Sequence, residues 1–274
     1  MNRMDEAFKK IRAAGETALI PFITVGDPNP AVTLDIISEI EAAGADIVEL
    51  GVPYSDPLAD GPVIQRASER ALRSFVTIRT CMETALQARQ AGSKLPFVLF
   101  TYYNPVLQMG LDTFIQEVVT HDISGFIIPD LPIEESEKIR SKAKAAGVHL
   151  IPLVAPTSHE RIENIVRDAS GFVYCVSSLG VTGERTDFYS GIEPFLNTVK
   201  QLTDIPVAIG FGISSREQVA RFSEICDGVV VGSAIVRQIE AAIPLLEKAE
   251  TKAQGLQQIR EFVSQLKGSK VHEG

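Results

Sequence analysis

Glu49 stands in Asp46-Ile47-Val48-Glu49-Leu50-Gly51, an apolar, β-branched run of strand character. Side chains alternate along a strand, so Val48 and Leu50 share one face while Ile47, Glu49 and Gly51 share the other. If the first face packs on helices, the second carries a carboxylate into the core. Burial disfavours the charged form of an acid and raises its pKa towards neutrality, where a group can give and take protons. The plainer alternative is a strand-end glutamate paired with a basic neighbour. The rarity of unpaired buried acids favours the functional reading.

The segment that follows, Pro53-Tyr54-Ser55-Asp56-Pro57-Leu58-Ala59-Asp60-Gly61-Pro62, is shaped by its prolines and glycine. It offers Asp56 and Asp60. Two carboxylates in different surroundings can hold different pKa values and divide acid and base roles. On the loop alone, Asp60 is equally well a turn residue or a helix N-cap.

Two further segments suit an anion. Ile209-Gly210-Phe211-Gly212-Ile213-Ser214-Ser215 and Val230-Val231-Gly232-Ser233-Ala234 each close an apolar run on glycines. Glycine lets backbone N–H groups approach a phosphate, a helix start adds its positive dipole end, and Ser233 adds a hydroxyl. A third segment, Ser177 to Asp187, is long and polar with two glycines, and reads as a lid. No lysine falls at a strand end to form a Schiff base, the four histidines show no ligand spacing, and GxSxG is absent. The remaining chemistry is metal-free proton transfer on a phosphorylated substrate.

These residues need a scaffold. Short apolar runs alternate with helical stretches along the chain of 274 residues. Strands are expected over 19–24, 47–51, 97–101, 125–129, 149–154, 172–177, 207–210 and 228–231. Helices are expected over 31–43, 77–91, 133–146, 159–168, 192–202 and 216–225, several of them ending at a glycine such as Gly44, Gly92 or Gly147. Eight such units predict an α/β fold, the (β/α)8 TIM barrel, in which active sites lie at the C-terminal ends of the strands and phosphate sits after the last two. The competing doubly wound sheet usually carries GxGxxG after its first strand, and here that position reads Thr24-Val25-Gly26-Asp27-Pro28. Two additions stand out: an extra N-terminal amphipathic helix over 4–14, suited to capping the barrel bottom, and an insertion over 52–73. A single barrel domain over 1–268 and a disordered tail over 269–274 complete the expectation.

The net charge of −9 argues against nucleic acid and anionic membranes as partners. Three cysteines without CxxC spacing read as free thiols of a reducing compartment, and no signal peptide or membrane span is apparent, which points to the cytoplasm.

Stretches spread over nearly the whole chain resemble the tryptophan synthase alpha chain family. They are Pro21-Phe22-Ile23-Thr24-Val25-Gly26-Asp27-Pro28, the run from Glu49 to Pro62, Tyr102-Tyr103-Asn104-Pro105, Pro129-Asp130-Leu131-Pro132, Gly180-Val181-Thr182-Gly183, Gly210-Phe211-Gly212-Ile213 and Gly232-Ser233-Ala234. The resemblance implies a TIM barrel that cleaves indole-3-glycerol phosphate to indole and glyceraldehyde 3-phosphate by a retro-aldol reaction. It implies that Glu49 is the general acid–base and that Asp60 acts at the indole N–H. It places Gly183, Gly212, Gly232, Ser233 and Tyr174 around the phosphate, and Phe22, Leu99, Thr182 and Phe211 along the substrate pocket. It further implies no metal and no cofactor in this chain, and a beta chain as partner, carrying pyridoxal phosphate in an α2β2 complex. Sister barrels acting on related indole or anthranilate phosphates are the main competing enzymes, and a ring-forming synthase would place a lysine in its pocket. A chain that serves mainly to activate its partner is the competing non-enzymatic reading.

Overall fold

The computed structural model describes residues 1–158, 160–177, 188 and 191–268. Its strands are β1 (Ala18–Thr24), β2 (Val48–Gly51), β3 (Phe97–Phe100), β4 (Gly125–Ile127), β5 (His149–Leu150), β6 (Leu153–Val154), β7 (Val173–Val176), β8 (Val207–Gly210) and β9 (Gly228–Val231). All pair in parallel, in the order β5-β4-β3-β2-β1-β9-β8-β7-β6. The two ends of that order are the two halves of the strand expected over 149–154. Between them lie Ile151 and Pro152. The Ile151 amide bonds back to Phe126 O on one side at 3.0 Å, and Pro152 O accepts from Tyr174 N on the other at 3.0 Å. Proline has no N–H to give a ladder, so the regular pairing breaks there while the chain itself closes the barrel.

Parallel strands covered by helices are buried on both faces, and the core accordingly splits in two. Ile23, Val48, Leu50, Leu99, Phe126 and Val173 pack outward among the helices. Ile20, Phe22, Ile47, Val98, Phe100, Tyr174 and Ala208 fill the lumen. The alternation expected for β2 is therefore observed, with Ile47 inside and Val48 and Leu50 outside.

The helix Arg3–Ala13 closes the lower end. Asn2 caps it, with Asp5 completing the reciprocal pair. Its buried Met4, Phe8 and Ile11 belong to the lumen cluster, and Phe8 meets Phe172 at 5.7 Å between ring centres. The expected insertion resolves into an irregular segment over 52–61 and the helix Pro62–Arg73. Proline at the first helical position is preorganised for that start. Helix ends at Gly44, Gly92 and Gly147 take φ of 94°, 106° and 74°, the left-handed conformation glycine adopts without cost. The tail over 269–274 lies outside the described residues.

Candidate active site

Pairing of β1 with β2 sets Phe22 beside Glu49 and Thr24 beside Gly51. Both side chains of the first pair face the lumen near its upper end. A Cβ on Gly51 would lie 2.4 Å from the Phe22 ring, so glycine there is what lets Phe22 lean across towards Glu49. Glu49 is 1% exposed, and among the described residues its Oε1 has no hydrogen-bond partner and no cation offsets its burial. Its pKa is pushed up from 4.5 to about 8 by desolvation.

Asp60 reaches the same pocket from the segment above. It is 6% exposed. The helix that follows is capped by Gly61, without a side-chain cap, so the N-cap alternative for Asp60 does not hold and its carboxylate is free for other work. Its backbone carbonyl accepts from Gln65 Nε2 at 2.7 Å. Burial raises its pKa from 3.8 to about 6, and a hydrogen bond from the Tyr102 hydroxyl pulls the other way by favouring the carboxylate. That hydroxyl also accepts from Ala59 N at 3.1 Å, and its ring stacks on Tyr54 at 4.8 Å. Tyr102 thus holds the segment down from the end of β3. Tyr102 stood in a stretch that carried the resemblance but was given no role there, although its place immediately after a strand was a usable signal. Asp56 is exposed and bonds to Ser55 Oγ at 2.6 Å, away from the pocket.

Phe22, Glu49, Asp60, Ile64, Phe100, Tyr174, Phe211, Gly212, Val230, Gly232 and Ser233 line one cavity. Leu99, expected in that lining, is not there. It pairs with Leu50 and Phe126 and packs outward with them, one residue out of phase with the lumen. Phe100 takes the place instead, its ring edge-on to Phe22 at 5.6 Å. Tyr174 lies over β8, where a Cβ on Gly210 would come within 2.4 Å of its hydroxyl. Burial, then the charge of Glu49, raises its pKa. It contacts the Phe211 ring at 5.7 Å. Thr182 and Gly183 fall outside the described residues, as does the lid expected over 177–187 apart from Ser177.

The anion side of the pocket comes from the ends of β8 and β9. Phe211 and Gly212 take φ of 69° and 98° in succession. Gly232 caps the helix Ser233–Leu246, whose first amides have no partner within the helix and lie at its positive end. Among the described residues no group of acids, histidines and cysteines is arranged to hold a metal ion. A roomier groove of 330 Å³ lies outside the barrel between the helices Glu137–Ala145 and Arg161–Arg167. Its two arginines are already paired, Arg140 with Asp168 at 3.4 Å and Arg161 with Glu134 at 2.7 Å.

A closed parallel barrel with two desolvated acids at its mouth, facing a glycine-lined helix start, defines a (β/α)8 enzyme of proton-transfer chemistry on an anionic substrate. The family model described as "Tryptophan synthase alpha chain" matches residues 8–270. A tryptophan synthase alpha chain of Bacillus subtilis (strain 168) is 50% identical over 261 residues, 95% of this chain and 98% of that one. Another, from Geobacillus sp. (strain WCH70), is 51% identical over 247 residues, 90% of this chain and 94% of that one. Among solved structures, tryptophan synthase subunit alpha from Legionella pneumophila str. Paris superposes with a TM-score of 0.85 at 34% identity, covering 98% of both chains. A chain of Mycobacterium tuberculosis tryptophan synthase gives 0.86 at 35% identity, covering 97% of both. The chain belongs to the tryptophan synthase alpha chain family. It is a lyase of tryptophan biosynthesis, and it cleaves indole-3-glycerol phosphate to indole and glyceraldehyde 3-phosphate.

Proposed function

We propose that Glu49 and Asp60 divide the proton transfers of this cleavage. The supporting observation is that the two acids share one cavity and are pushed to about 8 and about 6. Near neutrality Asp60 is then largely a carboxylate and Glu49 largely a neutral acid. Asp60 accepts the indole N–H and favours charge on the ring. Glu49 gives its proton to ring carbon C3, which turns the ring into an electron sink. As a carboxylate it then takes the proton from the adjacent side-chain hydroxyl. The carbon–carbon bond breaks, its electron pair restores the aromatic ring, and the oxygen becomes the aldehyde of glyceraldehyde 3-phosphate. One proton is given and one taken, so Glu49 ends as it began. Phe22, Phe100 and Phe211 hold the indole plane, while Gly212, Gly232 and Ser233 take the phosphate with Tyr174 beside them. Gly183 and Thr182 complete this set by resemblance.

We propose a beta chain as partner, in an α2β2 complex, with pyridoxal phosphate belonging to that partner and none to this chain. Leu58 in the segment after β2 and Leu107 in the helix after β3 each follow the C-terminal end of a strand and are 75% and 53% exposed, apolar side chains suited to such a contact. The three cysteines are all free and buried, which suits the cytoplasm. The test is indole release from indole-3-glycerol phosphate by the isolated chain. Asp60→Asn is expected to lower it by about 100-fold or more with the thermal midpoint little changed. Full activity in that variant refutes the division of roles.

A further inference from the structure

We infer that Ser177 is a positioning residue for the phosphate site, acting through the peptide bond between Phe211 and Gly212. The inference rests on the reading that Gly212 helps bind the phosphate.

Ser177 follows β7 directly, at the level where β8 ends. It is 1% exposed. Its amide donates to Gly210 O at 3.0 Å, which continues the pairing of β7 with β8 by one step. Its hydroxyl donates to the next carbonyl, Phe211 O. One residue therefore occupies two consecutive carbonyls of the glycine-rich loop. That second bond falls where the loop backbone is least at ease. Phe211 holds φ at 69°, a region costly for any residue with a Cβ. The other non-glycine residues with positive φ among those described, Phe75 and Asp122, sit at helix ends away from the cavity. A strained conformation persists only where its surroundings over-determine it, and the two Ser177 bonds hold the peptide planes on either side of the Phe211 Cα, the amide the first and the hydroxyl the second.

The consequence follows from peptide geometry. In a trans peptide plane the C=O and the following N–H point in opposite directions. Drawing Phe211 O towards Ser177 turns the Gly212 N–H away from Ser177, and Gly212 lines the cavity. With the hydroxyl gone, the plane is free to rotate. The turn is taken up by ψ of Phe211 and φ of Gly212, and a carbonyl oxygen can then face the phosphate where a donor stood. Ser177 has this effect without touching substrate.

Phe211–Gly212 is the single Phe-Gly step in the sequence. Labelling phenylalanine with ¹³C at the carbonyl and glycine with ¹⁵N therefore reports this one amide as one cross-peak in the full-length chain. Titration with glycerol 3-phosphate is expected to shift the peak in the wild type. Ser177→Ala is expected to weaken binding about tenfold and reduce the shift, as for a lost hydrogen bond to a charged group. Ser177→Thr, which keeps the hydroxyl, is expected to stay within about twofold of wild type. In turnover, the loss in Ser177→Ala is expected mainly in KM, with kcat and the pH profile set by Glu49 and Asp60 preserved. Thermal melts of both variants separate unfolding from this effect. A wild-type peak that ignores glycerol 3-phosphate overturns the phosphate reading, and this inference with it. A wild-type peak that moves, matched by Ser177→Ala in shift and affinity, overturns the inference alone.

Discussion

Replacing Glu49 by glutamine should make the protein more stable in alkali and almost inactive. Burial holds Glu49 at about 8, against 4.5 for an ordinary glutamate. As pH rises, the unfolded chain releases this proton first while the folded chain keeps it. Between those two values the folded state binds more protons, so stability falls with rising pH and levels off above the folded pKa. At about 1.4 kcal/mol per unit, the loss accumulated between pH 5 and pH 9 is about 4 kcal/mol. Glutamine has nearly the same shape and no proton to lose. The two proteins share every other titratable group, so their difference isolates this one. Urea unfolding of both at pH 5, 7 and 9 should show Glu49→Gln gaining on the wild type by about 2–5 kcal/mol across the range. Indole release should fall by about 100-fold or more at every pH. A stability difference that is flat with pH would show that burial does not hold the proton on Glu49. Undiminished indole release would remove Glu49 from the proton transfers.

The same two acids predict a bell-shaped kcat/KM against pH for the wild type, with an acid limb near 6 and an alkaline limb near 8. Tyr102→Phe removes the hydrogen bond that favours the Asp60 carboxylate, so the acid limb should move upward while the alkaline limb stays. An unmoved acid limb would detach Tyr102 from Asp60. Gly51→Ala drives a methyl group into the Phe22 ring. It should cost about 1–3 kcal/mol in urea unfolding and raise KM, by displacing the ring that flanks Glu49. Unchanged stability and KM would show that the ring moves aside freely.

The position of Glu49 was legible because one polar residue in a strand marks which parity faces the lumen. In β3 no such mark exists. Phe97-Val98-Leu99-Phe100 is apolar throughout, since both faces of a parallel barrel strand are buried, and Leu99 and Phe100 cannot be told apart by type. Only the register, with Val98 beside Glu49, puts Phe100 in the pocket. Asp60 was undecidable for a different reason. Its environment is assembled by tertiary contacts with Tyr102, a residue far along the chain, and a loop carries no periodicity from which to infer them. The glycines after β8 and β9 announced a close approach of backbone and ligand, and both line the cavity. What they did not disclose was Ser177, whose hydroxyl acts on Phe211 from the neighbouring strand. The break within the strand over 149–154 follows from Pro152, which the residue pattern contained but the expected boundaries ignored.

The plug formed by Met4, Phe8 and Ile11 has a consequence for traffic. With Phe8 against Phe172 at the floor, the lumen below Glu49 is a blind alley. Among the described residues, the open end of the lumen is the rim that carries Asp60, Tyr102 and Leu58. A molecule of indole leaving the site therefore meets first whatever stands across that rim. A lumen open at both ends would give the product a second way out. The N-terminal helix, at the opposite end of the lumen from the two acids, thus gives the enzyme a direction of delivery.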